Sequence, residues 1–199
     1  DAIGTGASSK PSDGLRANFP QYNYDDMVSA QYRLVTEGLG VKHLRVIVGN
    51  SMGGMQTWLW GIRYPAFMDA LVPLASMPIE MSGRNWMMRK FISESIRRDP
   101  AWQHGNYTEQ PTGTQFTSVF YGLATNGGSQ ALQKQAPTSD SGDALIAKRL
   151  SDPFTMDTND FLYQWESSKD YNPKNLENIR AYVLAINSED DERNPPSLG

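Results

Sequence analysis

The hydrophobic residues in the first half of the chain follow two alternating periods. Apolar side chains recur at helical spacing over residues 24–39 and 52–64, and a glycine or a proline ends each pattern. Short, continuously apolar runs occupy residues 44–48 and 70–75, which is typical of strands buried on both faces of a parallel sheet. This strand–helix–strand order predicts an α/β fold in which helices cover both faces of a mostly parallel sheet.

A long helical segment interrupts this alternation. Helical patterns occur around residues 86–96, 115–125, 129–135 and 141–150, with turns that contain glycine or proline between them. The apolar run at 179–186 then returns the chain to the sheet.

Ligands of parallel α/β sheets bind over the carboxyl edge of the strands, so we interpret the helical segment as a lid inserted above that edge. Ordinary connecting helices without a role in binding are the alternative. The predicted division is a core over residues 1–78, a lid over 79–170 and a return to the core over 171–199.

A Gly-x-Ser-x-Gly sequence, Gly49-Asn50-Ser51-Met52-Gly53, joins the first apolar run to the helix that follows it. A serine on such a junction has a strained backbone, and we expect Gly49 and Gly53 to prevent side-chain clashes around it. The junction exposes the Ser51 hydroxyl and directs the first N–H groups of the helix toward the same space, where charge on a substrate oxygen can be stabilised. The pattern predicts a nucleophile elbow at residues 49–53 with Ser51 as the nucleophile; a plain tight turn is the alternative.

A serine nucleophile needs a base to take its proton and an acid to orient that base. The apolar run at 179–186 leads into four carboxylates, at Glu189, Asp190, Asp191 and Glu192. Runs of this kind are more often solvated loop faces, so at most one member is expected to be functional. We favour Asp191 as the acid, with Asp190 as the second choice.

The chain contains two histidines, and neither is well placed to be the base. His43 directly precedes the strand that leads to Ser51, which puts it at the opposite edge of the sheet. His104 lies in a loop of the predicted lid, which is a loose mount for a general base.

Trp86 and Met87, at the start of the first predicted lid helix, are candidates for the lining of a substrate pocket. Packing in the hydrophobic core is the alternative for both side chains.

Composition removes several classes of function. The net charge is −4 and the basic residues are scattered, so nucleic acid is not an expected partner. Cysteine is absent, which excludes disulfides and thiolate chemistry, and neither metal-ligand spacing nor a phosphate-binding glycine loop occurs. We therefore expect no bound cofactor or metal.

No apolar run approaches the roughly 20 residues that span a bilayer, and the first residues do not resemble a signal peptide. These features favour a soluble protein, with the cytoplasm as the preferred compartment. The chain opens in a loop and closes just after a predicted strand. We therefore interpret it as part of a longer protein that lacks N- and C-terminal portions here.

The segment Gly49-Asn50-Ser51-Met52-Gly53-Gly54-Met55-Gln56 resembles the homoserine O-acetyltransferase branch of the α/β-hydrolase superfamily. Further similar segments are Asp26-Met27-Val28-Ser29-Ala30-Gln31, Leu39-Gly40-Val41, Tyr64-Pro65 and Asp157-Thr158-Asn159-Asp160-Phe161-Leu162-Tyr163. The resemblance implies the α/β-hydrolase fold, with Ser51 as the nucleophile and the Met52 backbone N–H as an oxyanion donor. It also implies an acid that a proline follows closely, as Pro195 follows Asp191.

The chain order of that superfamily is nucleophile, acid, histidine, so the base is expected beyond residue 199. Where the transferases carry a Thr-Arg pair, this chain reads Gln164-Trp165-Glu166. If that arginine helps to hold an amino-acid substrate, its absence weakens homoserine as the acceptor.

The function implied is acyl transfer through an acyl-enzyme, from a small ester or thioester to an alcohol or to water. Acetyl-CoA is a candidate acyl-donor co-substrate, and a homodimer is the assembly that we consider. A carboxylic-ester hydrolase on the same scaffold is one alternative, and a non-catalytic hydrolase-fold binding protein or an inactive fragment is another.

Overall fold

The computed structural model describes residues 1–125 and 128–198. Within these residues it contains one sheet of three strands. They are β1 (Leu44–Asn50), β2 (Met68–Leu74) and β3 (Tyr182–Val183). The strands are parallel, in the order β1-β2-β3, with Val46 opposite Ala70 and Ala70 opposite Tyr182. The predicted parallel sheet is confirmed, and β1 and β2 lie within two residues of their predicted bounds.

Strand β3 is shorter than the predicted run of 179–186. A 3-10 turn at Leu176–Asn178 precedes it, and Ile179 N donates to Leu176 O at the end of that turn. Beyond β3 the backbone still follows β2. Leu184 N donates to Leu71 O and Ile186 N to Pro73 O, both at 3.0 Å. The chain therefore reaches the carboxyl edge of the sheet as predicted, but with fewer residues in regular strand geometry.

The helices lie close to their predicted positions. In chain order they are α1 (Tyr24–Arg33), α2 (Met52–Arg63), α3 (Gly83–Arg98), α4 (Thr112–Thr125), α5 (Gly128–Gln135), α6 (Ser139–Ser151) and α7 (Thr158–Glu166). Shorter turns of 3-10 helix lie at Pro11–Asp13, Arg16–Asn18, Pro100–Gly105 and Pro196–Leu198.

Two helices differ from the sequence prediction. Helix α1 ends at Arg33 instead of continuing to residue 39, because the chain winds into a π-helical turn at Leu34–Gly38, where Leu39 N donates to Leu34 O. Helix α7 was not predicted. Its first turn contains weak helix formers, and it is stabilised by Asp157, whose side chain accepts from Asn159 N and Asp160 N.

Two hydrophobic clusters hold these elements together. The first, the sheet core, joins α1 and α2 to the sheet and consists of Tyr22, Tyr24, Met27, Val28, Met55, Leu59, Trp60, Met68, Leu71, Met81, Tyr163 and Tyr171. The second, the helical core, lies among the helices between β2 and β3 and consists of Ile92, Ile96, Trp102, Tyr107, Tyr121, Phe161 and Leu162. Helix α7 contributes to both clusters.

Within the described residues, one face of the sheet is covered and the other is open. Ile47 packs against the sheet core, whereas Val46 and Val48 on the other face are 47% and 61% exposed. Their neighbours across the sheet, Tyr182 and Leu184, are also exposed. Among the described residues, α1 and α2 thus cover one face of the strands and leave apolar side chains uncovered on the other.

Within residues 1–125 and 128–198, no helix combines the length and the apolar character that crossing a membrane requires.

Candidate active site

Ser51 lies between the last residue of β1 and the first residue of α2. Its backbone has φ 53° and ψ −112°, a conformation that residues with a Cβ rarely adopt. Two backbone hydrogen bonds stabilise this conformation of Ser51. Ser51 N donates to Leu74 O at 2.9 Å, and Met55 N donates to Ser51 O at 3.0 Å. The strain is localised at the residue that the sequence motif singles out, and a strained residue at such a junction is a mark of a functional turn.

The glycines around Ser51 differ in how much space a side chain would have. A Cβ at Gly49 would overlap the Gly53 carbonyl and lie 2.5 Å from Thr57 Oγ1, and a Cβ at Gly54 would lie 2.7 Å from Leu74 O. A Cβ at Gly53 would meet no heavy atom of the described residues within 4 Å. The expectation that Gly53 prevents a side-chain clash is therefore wrong: the close approaches are made by its carbonyl group and by Gly54.

A pair of alanine substitutions tests this assignment. Gly49→Ala should lower the free energy of unfolding by about 3 kcal/mol, because the added methyl group must displace backbone atoms. Gly53→Ala should be neutral or stabilise by up to about 1 kcal/mol, because alanine is the better helix former. Urea unfolding of the two variants measures the difference. Equal losses of stability would contradict the assignment.

The first turn of α2 provides backbone N–H groups near Ser51. Met52 is the first residue of this 12-residue helix, and N–H groups in a first helical turn have no partner within the helix. They carry the positive end of the helix dipole, which favours a nearby oxyanion. The Met52 side chain packs partly buried against the sheet core.

Asp191 is held more firmly than the carboxylates beside it. Its Oδ1 accepts from Arg193 N at 2.7 Å and from Asn194 N at 2.9 Å, and its own N–H donates to Ser188 O. Asp190 is exposed, and Glu192 is paired with Arg84 at 2.6 Å. Asp191 therefore differs from its neighbours in being held by backbone N–H groups of its own loop.

Ser51 and the segment that carries Asp191 lie at the same edge of the sheet. Ser51 N bonds to Leu74 O at the end of β2, and Ala75 N, the next residue, donates to Ile186 O at 2.9 Å. The residues that follow Ile186, 187–195, are called the acid loop below. Three adjacent chain segments thus place the serine and the acid loop at the carboxyl ends of the strands, where ligands of such sheets bind.

The histidines lie as the sequence suggested. His43 is at the opposite edge of the sheet, where its Nε2 is 2.7 Å from Asp69 Oδ1 and Arg45 pairs with the same carboxylate. His104 is exposed in the 3-10 turn at Pro100–Gly105, with its ring 6.2 Å from that of Trp102. Among the described residues, no hydrogen bond joins either histidine to Ser51.

Trp86 and Met87 do not line one pocket. Trp86 packs partly buried against the sheet core, whereas Met87 is 69% exposed on another side of α3. There Met87, Met88, Phe91 and Phe120 line an apolar groove of about 420 Å³ between α3 and α4. The structure therefore separates the two predicted pocket residues.

A larger cavity of about 630 Å³ lies between the acid loop and the start of α3. Met55, Met77, Asn85, Asp191 and Asn194 are among the residues that line it, and Ser51 is not. Sequence reasoning missed Asn85 and Asn194, because a single asparagine, whether in the first turn of a helix or in a polar loop, carries no signal of burial.

No group of three or more histidine, cysteine or acidic side chains within residues 1–125 and 128–198 is placed to hold a metal ion.

Comparison with known proteins agrees with this geometry. The family of the alpha/beta hydrolase fold matches residues 1–197. The chain therefore belongs to the α/β-hydrolase fold family. It is 40% identical over 115 residues to the homoserine O-acetyltransferase of Trichormus variabilis, an alignment that covers 54% of this chain and 30% of that protein. The predicted resemblance to this branch is confirmed.

Two further proteins extend the comparison. The ethyl acetate hydrolase of Pseudomonas veronii is 38% identical over 109 residues, which is 53% of this chain and 31% of the hydrolase. The solved structure of the acetyl esterase MekB has a TM-score of 0.81 and 22% identity, and it matches 97% of this chain. The chain spans 61% of the length of that esterase and smaller shares of the curated relatives.

Proposed function

We propose that Ser51 is the nucleophile of an acyl-transfer reaction. Its hydroxyl oxygen attacks the carbonyl carbon of a small ester or thioester, the bond to the leaving alcohol or thiol breaks, and an acyl-enzyme forms. The observation that carries the proposal is the strained backbone of Ser51 at the junction of β1 and α2, fixed by hydrogen bonds to Leu74 and Met55. The match of residues 1–197 to the α/β-hydrolase fold family supports it.

Met52 and Asp191 have supporting roles in this proposal. The Met52 N–H stabilises the oxyanion of the tetrahedral intermediate, because it lies in the first turn of α2 directly after the nucleophile. Asp191 orients the base and stabilises its charged form, a role that suits a carboxylate held by two backbone N–H groups. The base itself is a histidine beyond residue 199, as the chain order of the superfamily implies.

The helices between β2 and β3 fit the role of a lid over residues 79–170. They have a hydrophobic core of their own, and they follow the carboxyl end of β2, next to the edge where Ser51 lies. The predicted core segments, 1–78 and 171–199, supply the serine and the acid on either side of this insertion in the sequence.

The final acceptor of the acyl group is a hydroxyl compound or water. Relatives of nearly equal similarity carry both kinds of name, a homoserine O-acetyltransferase and an ethyl acetate hydrolase. One contact favours water. Glu166 lies in the segment that differs from the Thr-Arg pair of the transferases, and it forms a two-fold ion pair with Arg97 at 3.0 and 2.8 Å. The Arg97 guanidinium is therefore already paired and is not available to hold the carboxylate of an amino-acid acceptor. Ester hydrolysis is therefore our second candidate.

A covalent probe tests the proposed nucleophile. We expect a fluorophosphonate to add its mass to the peptide of the whole protein that contains Ser51, and p-nitrophenyl acetate in excess to slow the labelling. Ser51→Ala is the matched control and should stay unlabelled at that peptide. Labelling elsewhere in the wild type, or none at all, would favour a non-catalytic protein.

The acceptor is tested with the same preparation. Release of p-nitrophenol from its acetate without added alcohol indicates hydrolysis. Transfer from acetyl-CoA to homoserine, measured as free CoA, indicates the transferase.

A further inference from the structure

A buried polar network links the acid loop to helix α3. Its members are Asn194, which is 3% exposed, Asn187, Asn85 and Arg89, which is 4% exposed. Buried polar side chains are costly unless they are hydrogen-bonded, so a network of this kind fixes the segments that it connects.

Asn194 is the centre of the network. Its backbone N–H donates to Asp191 Oδ1 at 2.9 Å, and its side-chain amide donates to Ala75 O at 3.0 Å. The backbone carbonyl oxygen of Asn194 accepts from Asn187 Nδ2 at 3.2 Å. Ala75, the residue after the end of β2, has φ 46°, which is a strained backbone conformation. The Asn194 side chain is therefore hydrogen-bonded to a strained residue.

The orientation of both amides follows from the groups at the two ends of the network. Arg89 can only donate, and its Nε bonds to Asn85 Oδ1 at 2.8 Å. The Asn85 NH2 group therefore faces Asn194 Oδ1, at 3.4 Å, the longest link of the network. This turns the Asn194 NH2 group toward Ala75 O, which can only accept. Each hydrogen bond thus determines which group donates and which accepts in the next one.

Arg89 is buried without an ion pair to any carboxylate in the described part of the chain. It also donates to Ser168 Oγ at 3.2 Å, approaches Tyr24 Oη at 3.5 Å, and lies 5.0 Å from the centre of the Trp165 ring. Burial raises the pKa of the Tyr24 phenol, an effect that the charge of Arg89 opposes. The bonds to Asn85 and Ser168 satisfy donors of the buried guanidinium and fix its direction.

We propose that Asn194 is a positioning residue for Asp191, and that Asn85 and Arg89 make the orientation of this acid depend on helix α3. The inference rests on the proposed function, in which Asp191 orients the base. The side chain of Asn194 anchors the acid loop at Ala75 and Asn85, and its backbone N–H then holds Asp191 Oδ1. Without the anchor the loop backbone is free to shift, and a displacement of about 1 Å can cost on the order of a hundredfold in rate.

Substitution of Asn194 tests the proposal. Asn194→Ala keeps the backbone N–H and removes the anchor, so kcat of the whole protein for p-nitrophenyl acetate should fall by about 10- to 100-fold. KM should stay within about twofold, because the substrate does not contact Asn194 in this proposal. Asn85→Ala, which removes the link to α3, should lower kcat by a smaller factor. Asn106→Ala changes an exposed asparagine and should leave both constants unchanged.

A double-substitution cycle separates positioning from a general structural role. In a protein that already carries Asp191→Asn, adding Asn194→Ala should lower kcat by less than about twofold, because the group that it positions has lost its charge. A full 10- to 100-fold loss in that background would overturn the proposal, as would an unchanged kcat in Asn194→Ala. If circular dichroism shows that Asn194→Ala does not fold, the Asn85→Ala variant serves as the test. An unchanged kcat in Asn85→Ala would then overturn the proposal. A failure of the proposed function gives a different result from a failure of this proposal, because the Ser51→Ala variant would then keep its activity.

Discussion

Ser51→Ala is expected to lower kcat for p-nitrophenyl acetate by about a millionfold in the whole protein. Loss of a serine nucleophile removes the acyl-enzyme route and leaves only binding and oxyanion stabilisation. The fold should survive, because the hydrogen bonds that hold this residue involve its backbone and not its hydroxyl. The free energy of unfolding should therefore change by less than about 1 kcal/mol.

Ser76→Ala is the matched control for this experiment. Ser76 lies just beyond the end of β2, next to the strand that leads to Ser51, and it is buried. Its hydroxyl has no hydrogen-bond partner among the described residues, so its loss should change kcat by only a few-fold. Activity of Ser51→Ala within tenfold of the wild type, or an equal loss in Ser76→Ala, would contradict the assignment of the nucleophile.

Asp191→Asn is expected to lower kcat by about ten-thousandfold, because an amide does not stabilise a charged base as a carboxylate does. The substitution keeps an oxygen that can accept from Arg193 N and Asn194 N, so the acid loop should retain its conformation. Steady-state kinetics measures the loss, and circular dichroism of the same sample checks the fold.

Asp190→Asn provides the comparison within the same loop. Asp190 is exposed, so its replacement should alter kcat by only a few-fold. If Asp190→Asn were the inactive variant and Asp191→Asn the active one, the second choice made from the sequence would be the acid.

The strand–serine–helix unit could be predicted from the sequence because its causes are local. A β-branched run, a Gly-x-Ser-x-Gly turn and a helical pattern all lie within residues 44–64, and each specifies the conformation of its own segment. The structure places β1, the strained Ser51 and α2 in that order.

The parts that could not be predicted depend on residues far apart in the chain. Asn85 meets Asn194 across 109 positions, and the close neighbours of Gly54 in helix α2 include Leu74, at the end of β2, and Ser76, just beyond it. Neither contact leaves a periodic pattern. The open face of β1 in the described residues could not be predicted either, because a run of valine and isoleucine has the same composition whether one face or both faces are covered.

Helix α7 contributes side chains to two separate clusters. Tyr163 packs in the sheet core with the helix that follows Ser51, whereas Phe161 and Leu162 pack in the helical core. Helix α3 joins the clusters in the same way, with Trp86 against the sheet core and Ile92 in the helical core. A change of side-chain volume at Ile92 is therefore transmitted toward the helix that follows Ser51 by two helices, so repacking of the helical core is expected to be coupled to the serine turn.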